Sequence, residues 1–350
     1  MGVVWALLLF SLLILIHELG HFIAAKAFGV QVNEFSLFMG PALFTKQIGE
    51  TQYSLRLIPF GGYCAMEGED EESDNPRAFT RAAWWKRLII LAAGVTMNAV
   101  LGFVMAVAFV LPQNYQTVPQ IDYLEEWSTV GGENGLQVGD KILEVDDYRV
   151  NIYEDFSLLL MAKPSDTHDI LVLRDGEKVL LDDLLMEKHT VTYEDGTQDE
   201  LYGLRFSRRK MDLWDKLEYG WYRTVYNVRS VPLSFKMLFN GSAGMKDLSG
   251  PVGIVKVVSD FTQNSKGLIL FLMLMSLGSL ISINLAIMNI LPIPALDGGR
   301  IVGLLITTAI EKITRKKVDP KYEGYIHAAG LILLLGFLVI VTFSDIKKLF

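Results

Sequence analysis

The pentad His17-Glu18-Leu19-Gly20-His21 is where residue type and spacing first point to chemistry. At 3.6 residues per turn, histidines four apart share one helix face and can grip a single metal ion, and the glutamate beside them reaches water on that ion. The pattern is that of zinc hydrolases, with Glu18 as general base and Zn2+ held by His17 and His21. A catalytic zinc keeps three protein ligands and one open position, so a third ligand is required. The single Cys64 excludes a cysteine-built site and an intramolecular disulfide framework, which leaves His, Asp or Glu. Asp297 is the main candidate. It follows Asn289-Ile290-Leu291-Pro292-Ile293-Pro294-Ala295-Leu296 at the end of a long uncharged run. The prolines break the helix and can turn the acid toward the motif, and Gly298-Gly299 permits close backbone approach. Asp345 is the competing acid, but the charge pattern of the loops puts it at the opposite membrane face.

The elements that must position these residues are apolar. The motif lies in an apolar stretch from Val3 to Val30, where a charged residue costs on the order of 3 kcal/mol unless it serves a purpose. With 350 residues, 51% of them hydrophobic, and a mean hydropathy of +0.32, the composition is that of a polytopic membrane protein. The formal net charge of -8 argues against a nucleic-acid partner. Four segments are expected to span the bilayer: 1–28 with the motif, 88–111, 267–297 ending at Asp297, and 324–345. No basic n-region precedes the first, so it is read as retained and not as a cleaved signal. Lys and Arg cluster in 29–87 and in the loop 298–323. That places both connections in the cytoplasm, both termini outside, and the motif near the cytoplasmic end of its span.

Within 29–87, residues 52–66 alternate apolar and polar before Gly61-Gly62, a hairpin signal. The apolar Ile58-Pro59-Phe60-Gly61-Gly62-Tyr63 suggests that this hairpin dips into the membrane beside the first helix. Its Gly61-Gly62 stretch could pair with an unwound substrate strand, and Asn289 could hydrogen-bond the same strand. An acidic run at 67–74 reads as a solvated loop, and Trp84-Trp85 before Lys86-Arg87 as an interfacial anchor. Residues 115–207 alternate short β-type runs with turns such as Asp175-Gly176 and Asp195-Gly196. Gly135-Leu136-Gln137-Val138-Gly139-Asp140-Lys141-Ile142 there resembles the core of PDZ domains, which bind extended peptides along a sheet edge. Residues 208–266 are expected to hold an amphipathic helix, with apolar residues at mostly helical spacing from Trp214 to Val231, and then a tight turn at 249–254.

Taken together, several stretches resemble the site-2 protease family of intramembrane zinc metalloproteases, and its bacterial RseP-like branch in particular. They are His17 to His21, Pro59-Phe60-Gly61-Gly62-Tyr63, Asn75-Pro76-Arg77-Ala78-Phe79, Ala93-Gly94 with Asn98, the PDZ-like core, Gly250-Pro251-Val252-Gly253-Ile254, and 289–299. The resemblance implies a polytopic α-helical membrane protein of the plasma membrane with about four transmembrane helices, a membrane-associated β-hairpin and an inserted β-rich PDZ-like extracytoplasmic domain. It implies zinc on His17, His21 and Asp297, with Glu18 as base. The implied substrates are single-span membrane proteins of the anti-sigma-factor or remnant signal-peptide type, already trimmed by an upstream site-1-type protease. Gly61, Gly62, Asn289 and Pro292 are implied to hold the substrate, and the PDZ-like domain to limit access by bulky ectodomains. Val95 departs from the proline usual after Ala-Gly, and one PDZ-like core is visible where some relatives have two. The competing class is a membrane zinc-binding scaffold or transporter whose PDZ-like domain recruits partners. Glu18 argues against it, because a transporter needs no acid beside the metal and more often places polar groups along several spans.

Overall fold

The computed structural model describes residues 2–69, 73–163, 165–193, 195–244, 250–315 and 320–348. The middle of the acidic run, 70–72, together with Ser249, Lys316 and Lys317, lies outside the described residues. The chain divides into two compact units, one formed by 1–108 with 248–350 and the other by 109–247.

The first unit begins with α1 (Gly2–Ala27), β1 (Val32–Ile48), β2 (Thr51–Met66) and α2 (Trp84–Val110). Sequences rich in Leu, Ile, Val, Ala and Phe and without interior proline leave every amide of α1 and α2 free to join the helical ladder, as a bilayer demands. Gly20 sets their separation, since a Cβ there would lie 2.5 Å from Ala93 O. The strands between them form more than a simple ribbon. Residues 42–48 pair with 51–56, while 34–37 pair with 52–55 on one side and 62–65 on the other. The chain thus folds into four plies with 62–66 at the edge, brought round by Gly61 at φ +73°. Leu43, Phe44, Leu57 and Ile58 of the sheet are all more than half exposed. Arg77 fastens the sheet to the end of α1: its Nε donates to Gly29 O at 2.9 Å and its guanidinium, with Lys26, pairs with Glu50 in the β1–β2 turn.

The second unit holds β3 (Tyr115–Leu124), β4 (Lys141–Val145), β5 (Tyr148–Arg149), α3 (Tyr153–Ala162), β6 (Thr167–Arg174), β7 (Glu177–Leu185), β8 (His189–Thr192), β9 (Gln198–Leu201), β10 (Leu204–Lys210) and α4 (Leu213–Asn240). The main sheet runs β10-β3-β4-β6-β7, with β5 on β4 and a separate β8-β9 pair. Asp146-Asp147 and Asp175-Gly176 have positive φ at both positions, the signature of two-residue hairpin turns that match strand twist. The Gly-Asp of the PDZ-like motif has a structural task. Asp140, 1% exposed, accepts the Gln137 amide and a two-point bond from Arg174 at 2.7 and 2.8 Å. Ile121, Leu136, Ile142, Val145, Phe156, Ile170 and Val172 fill the core beneath. α4 packs Leu233 and Met237 on that core and exposes Trp214, Trp221 and Phe239.

The first unit resumes with α5 (Pro251–Asn264), α6 (Gly267–Ile290), α7 (Asp297–Thr314) and α8 (Pro320–Lys347). Two of these differ from the sequence expectation. The turn expected at 249–254 opens a helix, because proline at its first position is preset for helical φ and Asp345 accepts the Gly253 amide at 2.8 Å. The loop expected over 298–323 is helical from Asp297 to Thr314, because Ile301 and Leu304 give it a face that packs with Val30, Ile90 and Leu91. α1, α2, α6 and the Gly324–Lys347 part of α8 are 24 to 27 residues long and apolar enough to cross a membrane, against a need of about 20.

Candidate active site

Helical spacing on α1 places His17 and His21 on one buried face, 9% and 7% exposed, with their rings edge to face at 4.8 Å. Their Nε2 atoms stand 3.2 Å apart. Asp297 reaches them from the far end of the chain, because α6 stops at Ile290 and the segment through Pro292 and Pro294 folds back before α7 begins. That return is tight enough to require glycine. A Cβ on Gly298 would lie 2.2 Å from Leu291 O, and one on Gly299 2.3 Å from Ile293 O. Asp297 Oδ2 then lies 3.1 Å from His17 Nε2 and 3.4 Å from His21 Nε2.

These three distances fit a metal. Donors about 2.0–2.1 Å from a tetrahedral ion are separated by about 3.3 Å along each edge, and two imidazoles with one carboxylate are a set that zinc favours. Asp297 Oδ2 is buried and, despite its two close neighbours, is aligned with no hydrogen-bond donor among the described residues. Three donor atoms converging on one point in this way could hold a cation. Asp345, the competing acid, is held instead by the Gly253 amide at the start of α5 and by Lys348.

Glu18 faces a cleft of about 390 Å³ lined by both histidines, Tyr63 to Met66, Glu69, Asn289 and 295–297 with Arg300. Its Oε2 accepts the amide of Cys64 at 3.0 Å. Edge ply 62–66 therefore both walls the cleft and orients the carboxylate. Glu69 and Arg300 form an ion pair at the same cleft.

A sequence model of Peptidase family M50 matches residues 5–337. The chain belongs to Peptidase family M50. A provisionally named zinc metalloprotease of Clostridium acetobutylicum is 34% identical, covering 99% of this chain and 97% of that protein. A similarly named protein of Fusobacterium nucleatum is also 34% identical, over 99% and 98% of the two chains. The zinc metalloprotease RasP of Geobacillus kaustophilus is 26% identical over 98% and 97%. M50 membership makes this a membrane peptidase and sets aside the scaffold or transporter reading.

For this M50 chain the structure brings together His17, Glu18, His21, Asp297 and Asn289, all of which line the cleft. Gly61, Gly62 and Pro292 do not line it. Gly62 is turned toward the neighbouring ply, where a Cβ would meet Ser36 O at 2.6 Å, so the cleft wall begins one residue later, at Tyr63. The residue-by-residue reading also missed the contribution of α2. Ile90 O accepts His21 Nδ1–H at 2.8 Å, and Asn98 lies 3.3 Å from His17 Nδ1. Gly94 leaves room between them, for a Cβ there would fall 2.4 Å from His21 Nε2. The signal was present in the spacing: 90, 94 and 98 repeat every four residues, as His17 and His21 do, in a helix whose only amide side chain is Asn98.

Proposed function

We infer that the chain is a zinc metalloendopeptidase that cuts a peptide bond within or near the membrane-spanning segment of single-span proteins. His17 Nε2, His21 Nε2 and Asp297 Oδ2 hold the metal, and their convergence beside Glu18 carries the reading. When bound, zinc supplies Lewis acidity toward the scissile carbonyl and toward water. Glu18, oriented by the Cys64 amide, takes the proton from the attacking water and delivers it to the leaving amide nitrogen. The outer edge of ply 62–66 receives the substrate as an added strand, which requires that the substrate helix be unwound locally. Asn289 hydrogen-bonds that freed strand, while Gly61, Gly62 and Pro292 shape the backbone on either side of it.

The orientation follows from the basic residues in 29–87 and after Asp297, with the cleft toward the cytoplasm and both termini and residues 115–207 outside. The exposed apolar side chains of the β1–β2 sheet support its placement against lipid. In the second unit, sheet-edge strand β10 and α3 flank a groove of about 670 Å³ lined by Tyr153 and Leu204 to Arg208. A strand edge beside a helix supports the PDZ-like reading, in which this unit takes extended peptide and limits access by bulky ectodomains. Substrates are then anti-sigma-factor or remnant signal-peptide types that an upstream site-1-type protease has already shortened.

The test is cleavage of a purified transmembrane reporter peptide by the detergent-solubilised chain. Cleavage should stop with a zinc chelator and return with added zinc, and cleavage that survives metal removal would overturn the proposal.

A further inference from the structure

A neutral imidazole carries one proton, and the nitrogen that takes a metal must be free of it. His21 is already prepared. Its Nδ1 faces a backbone carbonyl, Ile90 O, which can only accept, so the proton is on Nδ1 and Nε2 is bare. His17 needs the same preparation. Its Nδ1 lies 3.3 Å from the buried side-chain amide of Asn98. Binding a metal through His17 Nε2 leaves the ring proton on Nδ1, and Nδ1–H needs an acceptor.

Asn98 can supply one without moving its backbone. A half-turn of the terminal amide exchanges Nδ2 for Oδ1. Oδ1 is buried and has no hydrogen-bond partner among the described residues, so the turn gives it a donor. Asn98 is 1% exposed, and its carbonyl is fixed to α6 by Ser282 Oγ at 2.7 Å, so the side chain pivots on a held frame. We propose that Asn98 is a positioning residue whose Oδ1 accepts Nδ1–H of His17 and so keeps Nε2 free for the metal. Its role explains a polar side chain at this position, because an apolar one would leave Nδ1–H buried without an acceptor. The inference rests on the ligand set proposed above.

Zinc affinity of the full-length chain, measured by chelator competition in detergent, tests it together with the visible spectrum of the cobalt-substituted protein. Asn98→Leu keeps the volume but removes the acceptor, and should weaken zinc binding about 10- to 100-fold, the usual cost of losing an outer partner of a metal-bound histidine. Asn98→Asp can only accept, and should bind at least as tightly as wild type with an unchanged cobalt spectrum. Wild-type affinity in Asn98→Leu, or weaker binding in Asn98→Asp, overturns the inference. If Asn98→Leu does not purify as a folded protein, Asn98→Asp decides alone on the same criterion. His17→Ala separates the two levels. Loss of zinc there with retention in Asn98→Leu removes only the tautomer role, whereas wild-type affinity in His17→Ala removes the ligand set as well.

Discussion

Two imidazole nitrogens and a carboxylate oxygen can lie 3.1–3.4 Å apart in an apolar interior only if something compensates for their burial. In the proposed site the compensation is a cation, and each surrounding contact has a task set by it. Asp297→Asn removes the one anionic ligand and should lower zinc binding far more than Asp345→Asn, whose acid serves the start of α5; equal losses would show that the third ligand is elsewhere. Gly94→Ala tests the space around the histidines. Alanine favours a helix by about 1 kcal/mol over glycine, so a loss of zinc binding of about tenfold or more without loss of helix content would come from the Cβ pressed on His21. Unchanged affinity would mean the histidines can shift freely. His17, Glu18 and His21 were legible because their spacing carries its own geometry. Ile90 O and the Cys64 amide were not, because a backbone group leaves no trace in residue type.

For elements, the governing contacts are those that tie the β1–β2 sheet to α1. Arg77, first, and Lys26 hold the Glu50 carboxyl down to about 2, below its ordinary 4.5. A depressed folded value stabilises the fold above the unfolded value and loses that contribution as pH falls through the folded one. Glu50→Gln should therefore lower the unfolding midpoint at neutral pH, with the difference from wild type shrinking as pH drops from about 4.5 toward 2. A difference that stays constant across that interval would contradict the assignment. The four apolar helices could be read from hydropathy alone, as could the hairpin from its alternation. The four-ply arrangement could not, since it depends on 34–37 being paired on both sides, a long-range choice that no local pattern encodes. For the same reason the sequence pointed to Gly61-Gly62 when the cleft wall is Tyr63 to Met66. α7 was misjudged as a loop because its basic residues were read as part of a cytoplasmic connection, while the side chain that anchors it, Leu304 at 1% exposed, stands among exposed Val302, Leu305 and Ile306.

Across the whole molecule, membrane spans and an inserted β-rich unit are joined in one chain, and the proposed division of labour has a measurable consequence. A single-span reporter whose ectodomain has been trimmed should be cut at least tenfold faster than the same reporter with a folded ectodomain attached. Equal rates would mean that residues 115–207 exert no control over access. The β-rich character of the second unit was legible from its turns, because Asp175-Gly176 names its own geometry, whereas the partner of its groove is a matter of surface chemistry that strand patterns do not specify. The central claim, that Glu18 moves protons beside a metal held by His17, His21 and Asp297, is tested most directly by purifying Glu18→Gln and measuring zinc content and reporter cleavage on the same sample. About one zinc per chain with cleavage abolished is the predicted result. Continued cleavage by Glu18→Gln, or a wild-type chain that purifies active without zinc, would contradict it.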